Sequence, residues 1–193
     1  KKNIVTGRYK AVVIGGSAGS FQVVVRILQS LPTSFALPVI LCLHRLKHVR
    51  SGFDEALSLR SSIPVVEPND KETIRSGIAY LAPSNYHLYV ELGNRFSLST
   101  EEVVNHSRPS IDLTFFSVAR VYREHALGII LSGANRDGAL GLQRLKKMGG
   151  TAIVQDPKEC EVRTMTEASL QLTTVDAILT TEGIIKYLED LRL

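Results

Sequence analysis

Apolar residues fall into short unbroken runs, and the stretches between them carry helical spacing. Tyr9 to Ile14 (YKAVVI) is a β-rich run that stops at Gly15-Gly16. Behind it Phe21, Val24, Val25, Leu28 and Leu31 recur at three- and four-residue intervals, which predicts a helix over Phe21–Leu31. Pro38 to Leu43 (PVILCL) is a second unbroken run, followed by polar His44 and a predicted helix from Gly52 to Leu59. Strands without polar alternation need cover on both faces, so their alternation with helices predicts a parallel sheet.

The middle of the chain has a different rhythm. Gly77 to Ala82, Leu88 to Leu92 and Arg95 to Ser99 are short runs broken by Pro83-Ser84-Asn85 and Gly93-Asn94. This spacing predicts antiparallel hairpin structure with a tight turn at Gly93-Asn94. The βα rhythm then returns. A helix is expected over Ser110–Tyr122 with Ser110 as N-cap, then a strand at Ala126–Leu131 and a helix over Asp137–Met148. A strand at Thr151–Val154, a helix near Arg163–Leu170, a strand at Ala177–Leu179 and a helix over Glu182–Leu191 follow. The expected fold is α/β: a doubly wound, mostly parallel sheet with helices on both faces and an antiparallel hairpin insert. Residues 1–8 read as a tail or linker end and residues 9–193 as one domain.

Composition narrows the function classes. With 193 residues and 44% hydrophobic content, a core of useful size forms without disulfides or metals. Cys42 and Cys160 lie far apart and form no C-x-x-C pair, and Cys42 reads as a small buried hydrophobe suited to a reducing compartment. The longest apolar stretch, Leu37–Leu43, is far short of the ~20 residues needed to cross a bilayer. No apolar region precedes Ala11, so no secretion signal is expected. Net charge is +4, but Lys47, Arg50, Arg60, Arg108 and the other basic residues are scattered, and aromatics are only 6%. That pattern argues against nucleic-acid binding and leaves a mildly basic surface that favours an acidic protein partner.

In a parallel sheet, ligands bind beyond the carboxyl ends of the strands. Three reactive side chains follow such strands: Ser17 after the first, His44 after the second, and Asp137 after Ala126–Leu131. A nucleophile, a base and an acid on one rim are what serine hydrolysis requires. Each has rivals. Gly15 to Ser20 is equally a phosphate-binding loop or a plain turn with an N-cap serine, although it lacks G-x-G-x-x-G spacing and a following G-K-[ST]. His44 is equally a locally bonded strand-end histidine; His125 precedes its strand, His87 lies in the hairpin region, His48 is a turn beyond His44, and His106 stays open on position. Asp137 is equally a helix cap, with Asp112 and Asp156 as rival acids.

Taken in chain order, five segments resemble the catalytic domain of the CheB-type chemotaxis protein-glutamate methylesterases, from Tyr9 to the C-terminus. Ile14-Gly15-Gly16-Ser17-Ala18-Gly19-Ser20 resembles I-G-A-S-x-G-G, and His44 through Leu57 resembles H-M-x-x-x-F-T-x-x-F-A-x-x-L. Leu81-Ala82-Pro83 fits I-A-P, Arg108-Pro109-Ser110-Ile111-Asp112 fits R-P-S-V-D, and Leu131 through Gly141 resembles L-[ST]-G-M-G-x-D-G-A-x-G.

The resemblance implies a methylesterase of chemotaxis adaptation in which Ser17 attacks the ester, His44 takes and returns the proton, and Asp137 holds the imidazole. On the usual triad pattern, His44 Nε2 faces Ser17 Oγ and Nδ1 faces Asp137. Oxyanion donors are expected to be N–H groups near Ala18 and Ala134. No cofactor or metal is implied. The implied partners are methylated cytoplasmic helices of chemoreceptors, with a receiver domain or a methyltransferase of the same system, in the cytoplasm and with no membrane insertion or nucleic acid. Deamidation of receptor glutamines is implied by the same route.

Departures are Ala18 for threonine, Ser20 for the second glycine, Ala134 for methionine, Ser107 for histidine and Arg45-Leu46 for Met-Pro. No receiver domain lies within these residues, which leaves open a stand-alone form or a piece of a longer protein. The alternatives to an active esterase are a non-catalytic module binding receptor helices or signalling proteins, and a nucleotide or phosphate binder.

Overall fold

The structure is a computed structural model that describes residues 7–45 and 52–191; the first six residues of the expected tail, with Lys47, His48 and Arg50, lie outside the described residues. The chain opens with β1 (Ala11–Gly16), α1 (Phe21–Ser30) and β2 (Val39–Leu43), followed by α2 (Phe53–Ser58), β3 (Val65–Val66) and β4 (Ala79–Leu81). A hairpin, β5 (His87–Glu91) and β6 (Arg95–Ser99), leads to α3 (Ile111–Tyr122) and β7 (Ala126–Ile130). The remainder is α4 (Ala139–Lys147), β8 (Thr151–Gln155), α5 (Thr164–Leu172), β9 (Ala177–Leu179) and α6 (Thr181–Glu189).

Seven strands form one sheet in the order β3-β4-β2-β1-β7-β8-β9, and every neighbouring pair is parallel. The unbroken apolar runs are explained by cover on both faces. Val12, Ile14, Val39, Leu41, Leu127 and Ile129 pack beneath α1 and α6 with Val24, Leu28, Ile184 and Leu188. Their neighbours Val13, Ile40, Cys42 and Ile130 point the other way, against Phe115, Val118, Leu142 and Leu145 of α3 and α4. Alternate residues of one strand therefore serve two cores.

One expectation is corrected. Its spacing groups the run Gly77–Ala82 with the hairpin, but β4 pairs parallel with β2 (Ile40 opposite Tyr80) inside the main sheet. Its turn-rich flanks imitate hairpin punctuation, while Tyr80 and Leu81 are buried on opposite faces like any central strand. Among the described residues β5 and β6 form the two-stranded antiparallel insert, with Glu91 opposite Arg95. Gly93 (φ 94°) and Asn94 (φ 62°) make the tight turn between them. Edge strand β3 escapes sequence reading because Val65-Val66 is too short for periodicity to register.

Helices α3 and α4 approach closely at Gly141. A Cβ there would meet Phe115 Cβ at 2.6 Å and Asp112 Cα at 3.1 Å, so only glycine lets the two helix N-termini lie together. This contact sets the loop before α4 against the start of α3.

Candidate active site

Strand order reverses beside β1: the chain moves outward through β2 in one direction and through β7 and β8 in the other. The crevice beyond these carboxyl ends is where a doubly wound sheet presents its ligand site. Ser17 directly follows β1, His44 directly follows β2, and Asp137 lies in the loop from β7 to α4. Backbone bonds tie the three exits together, with His44 N–H donating to Gly16 O (3.0 Å) and Ser17 N–H donating to Ser132 O (2.9 Å).

Asp137 is fully buried and accepts five hydrogen bonds. Oδ2 takes Ile111 N–H (2.7 Å) and His44 Nε2 (2.7 Å). Oδ1 takes Asp112 N–H (3.0 Å), Asn105 Nδ2 (3.0 Å) and Ser110 Oγ (3.1 Å). Ser110 is the N-cap of α3, so the carboxylate sits on the first N–H groups of that helix, where negative charge is favoured. Burial alone pushes the Asp137 pKa up, but the bonds from His44, Asp112 N–H and Ile111 N–H reverse this and hold it below the usual carboxylate range.

The imidazole is turned end for end relative to the expected triad, with Nε2 rather than Nδ1 on Asp137. β2 and β7 flank β1, so their ends stand two strand spacings, about 10 Å, apart. The acid itself is held farther out, in the loop after β7 against the first N–H groups of α3, and Nε2 is the nitrogen that meets it. Nδ1 is left toward the centre of the rim, where Asn135 Nδ2 lies 3.5 Å away.

Ser17 Oγ accepts a hydrogen bond from Ala134 N–H at 2.9 Å, and no hydrogen bond joins it to His44 among the described residues. The N-cap position of α1 is Ser20, not Ser17; Ser20 N–H and Oγ both donate to Ser17 O (3.0 and 2.6 Å) and close the turn. This arrangement leaves the Ser17 side chain clear of helix capping. Buried Ser132 binds the surrounding loops: its Oγ lies 2.7 Å from Ala18 O and 3.0 Å from Val162 O, and accepts from Val162 N–H (3.0 Å). Gly19 (φ 81°) must be glycine, since a Cβ would meet Glu161 Cβ at 2.6 Å and Ser132 Oγ at 2.7 Å.

The rivals have other work. Asp112 is buried in the first turn of α3 and accepts Gly138 N–H (2.9 Å) and Gly141 N–H (2.7 Å); burial, with the neighbouring Asp137 charge, outweighs these bonds and raises its pKa. Asp156 Oδ1 accepts Lys158 N–H within its own loop (3.0 Å). His87 is fully buried between Ser110 N–H (3.2 Å on Nδ1) and Glu102 O (2.8 Å on Nε2), a structural bridge from the hairpin to α3. His106 is exposed on a turn. Three side chains escape sequence reasoning. Asn105 bridges Asp112 and Asp137, Asn135 accepts Asp137 N–H (3.0 Å) while facing His44, and Arg45 braces the exit of β2 against Glu67 (2.8 Å) and Ala82 O (2.9 Å). Only the Asn135-x-Asp137 spacing, typical of a side chain bonding the N–H two residues on, is a usable signal.

Among the described residues no cluster of His, Cys, Asp and Glu could hold a metal ion, and no helix is long and apolar enough to cross a membrane. The family description CheB methylesterase matches residues 12–188. A Leptospira interrogans protein, provisionally named a protein-glutamate methylesterase/protein-glutamine glutaminase, is 42% identical over 176 residues, 91% of each chain. A Clostridium acetobutylicum protein-glutamate methylesterase/protein-glutamine glutaminase is 30% identical, over 95% of this chain and 54% of its own length. The crystal structure of the Thermotoga maritima CheB methylesterase catalytic domain superimposes with a TM-score of 0.90 at 30% identity, covering 95% of this chain and 98% of that one. On sequence and fold together, the chain belongs to the CheB methylesterase family.

Proposed function

We propose that this protein hydrolyses glutamate methyl esters on the cytoplasmic helices of chemoreceptors, and deamidates glutamine there, with Ser17, His44 and Asp137 as its triad. The observation that carries this reading is the 2.7 Å contact from His44 Nε2 to Asp137, on the rim where Ser17 Oγ rests on Ala134 N–H. The names borne by its relatives support the substrate. A cytoplasmic location follows from that substrate, and a receiver domain or methyltransferase of the same system belongs to this reading as a further partner.

Asp137 accepts a hydrogen bond from His44 Nε2–H, which keeps the proton on Nε2 and leaves the Nδ1 lone pair as the base. Rotation about χ1 carries Ser17 Oγ from Ala134 N–H toward Nδ1; such contacts are often unmade without substrate. Oγ attacks the ester carbonyl as Nδ1 takes its proton, and Ala134 N–H, released from Oγ, donates to the oxyanion together with a group near Ala18. The proton passes to the departing methoxide, giving methanol and an acyl-enzyme. Water then attacks the acyl carbon and loses a proton to Nδ1, which hands it to Ser17 Oγ as the acyl–oxygen bond breaks and the glutamate leaves. With glutamine the leaving group is ammonia.

The missing Ser17–His44 bond favours one second reading, a receptor-binding module without catalysis. Methanol release from a methylated receptor fragment separates the two. Release that stops in Ser17→Ala, with an unchanged melting temperature, supports hydrolysis. Receptor binding with no release from the wild type leaves only the module.

A further inference from the structure

Asn105 stands at the tip of a turn between β6 and α3. Val104 and Ser107 pair through two backbone bonds (3.0 and 2.9 Å), and the two residues between them, Asn105 (φ 53°) and His106 (φ 61°), are both left-handed. Left-handed backbone at a non-glycine residue is tolerated best by asparagine, and here it aims the carboxamide inward. Nδ2 donates to Asp112 Oδ2 at 2.8 Å and to Asp137 Oδ1 at 3.0 Å. Carboxylates donate nothing, so the amide nitrogen, with one N–H for each acid, must face them.

This amide has an unusual place. It is the side-chain donor shared by two acids buried side by side, whose other partners are chiefly backbone N–H groups of α3 and α4. Asp137 Oδ1 and Oδ2 are ends of one rigid group. Whatever holds Oδ1 sets the direction of Oδ2, and Oδ2 carries His44. We propose that Asn105 is a positioning residue for the hydrolysis, its amide locking Asp112 to Asp137 so that the latter stays turned to the imidazole. The proposal rests on the triad reading above. It gives the 104–107 turn, which touches neither Ser17 nor His44 by hydrogen bond, a direct hold on the proton relay.

Two substitutions test it. Asn105→Gly removes the amide yet suits the left-handed backbone, so folding is retained. Its kcat is expected to fall about 10- to 100-fold, the worth of one hydrogen bond to a charged group, with KM little changed. Asn105→Asp is isosteric but places a third carboxylate against Asp112 and Asp137. The titratable groups facing that position are Asp112 from α3, Asp137 from the loop before α4 and His44 beyond it from β2, with Cys42 behind and His106 next in the turn. The introduced carboxyl group, once protonated, regains one O–H donor in place of the amide's two, so the ratio of Asn105→Asp to wild-type kcat should climb part of the way back as pH falls, while the Asn105→Gly ratio stays flat. A role confined to stability would not produce that divergence. An unchanged kcat in Asn105→Gly, or a flat ratio for Asn105→Asp, overturns the proposal.

A second measurement keeps it separate from the esterase reading. In Ser17→Ala protein, the downfield proton resonance of the His44 Nε2–H···Asp137 bond, identified by its loss in His44→Gln, should move upfield or vanish when Asn105→Gly is added. That shift is expected whether or not the wild type releases methanol. A resonance that stays in place refutes the positioning role even in a protein that proves to be an active esterase.

Discussion

Asp137 and Asp112 exchange helices: each carboxylate accepts the N-terminal N–H groups of the helix beside which the other stands. Asp137, just before α4, caps Ile111 and Asp112 of α3, and Asp112, in α3, caps Gly138 and Gly141 at the start of α4. Here the support is reciprocal, and the glycine contact at position 141 makes it sterically possible.

Replacing Asp137 by Asn tests both halves of its role. An amide presents a single acceptor, so the His44 tautomer is no longer enforced and kcat should fall about 10⁴-fold, the loss known for a triad acid turned to amide. The stability effect has a definite sign. Because the folded pKa of Asp137 is held down, its contribution is present above the ordinary carboxylate value of about 4 and is lost as pH falls through the folded value. Asp112, raised by burial, acts with the opposite sign, its contribution lost as pH rises. Melting temperatures measured downward from neutral pH should therefore drop less steeply in Asp137→Asn than in wild type. Parallel acid limbs would contradict the assignment.

Ser132 joins the loops after β1, β7 and β8 through one buried hydroxyl. In Ser132→Ala the Ala18 and Val162 groups lose that partner inside the protein, at a cost of about 1–3 kcal/mol. Urea unfolding measures it directly. A change below about 0.5 kcal/mol, the size of an ordinary surface substitution, would show that the hydroxyl is dispensable.

How much of this is legible in the residues follows from where each signal resides. Periodicity and unbroken runs locate β1, α1, β2, α3, β7 and β8, because burial on a strand or helix leaves a local imprint. Rim placement of Ser17, His44 and Asp137 follows from knowing which residue ends each strand. Gly77–Ala82 misleads because hairpin and crossover flanks share the same turn residues. The direction of the imidazole is not legible, since it depends on Asp137, 93 positions away, being held on the first N–H groups of α3, a long-range arrangement. Asn105 is invisible for a similar reason: its partners lie 7 and 32 residues away, and its aim depends on two left-handed backbone angles.

Asn135 supplies a third test. Its Oδ1 accepts Asp137 N–H, which turns Nδ2 toward His44 Nδ1, the base of the proposed triad. Removing that competitor in Asn135→Ala should raise kcat/KM for ester hydrolysis about fivefold, equivalent to the ~1 kcal/mol of a typical neutral hydrogen bond. Steady-state kinetics on a methylated receptor fragment decide it. A fall in kcat/KM would mean that the Asn135 side chain serves the loop rather than obstructing the base.

In the proposed triad the base and the acid come from strands on opposite sides of the strand that leads to Ser17, and His44 and Asp137 are 93 positions apart. Catalytic competence is therefore born late. During synthesis, a nascent chain released before β7 has Ser17 and His44 but no partner for the imidazole, however well its first half has collapsed. Esterase activity is in this sense a reporter of completed folding: a refolding experiment followed by methanol release should lag behind one followed by helix content, by the time that long-range strand pairing takes.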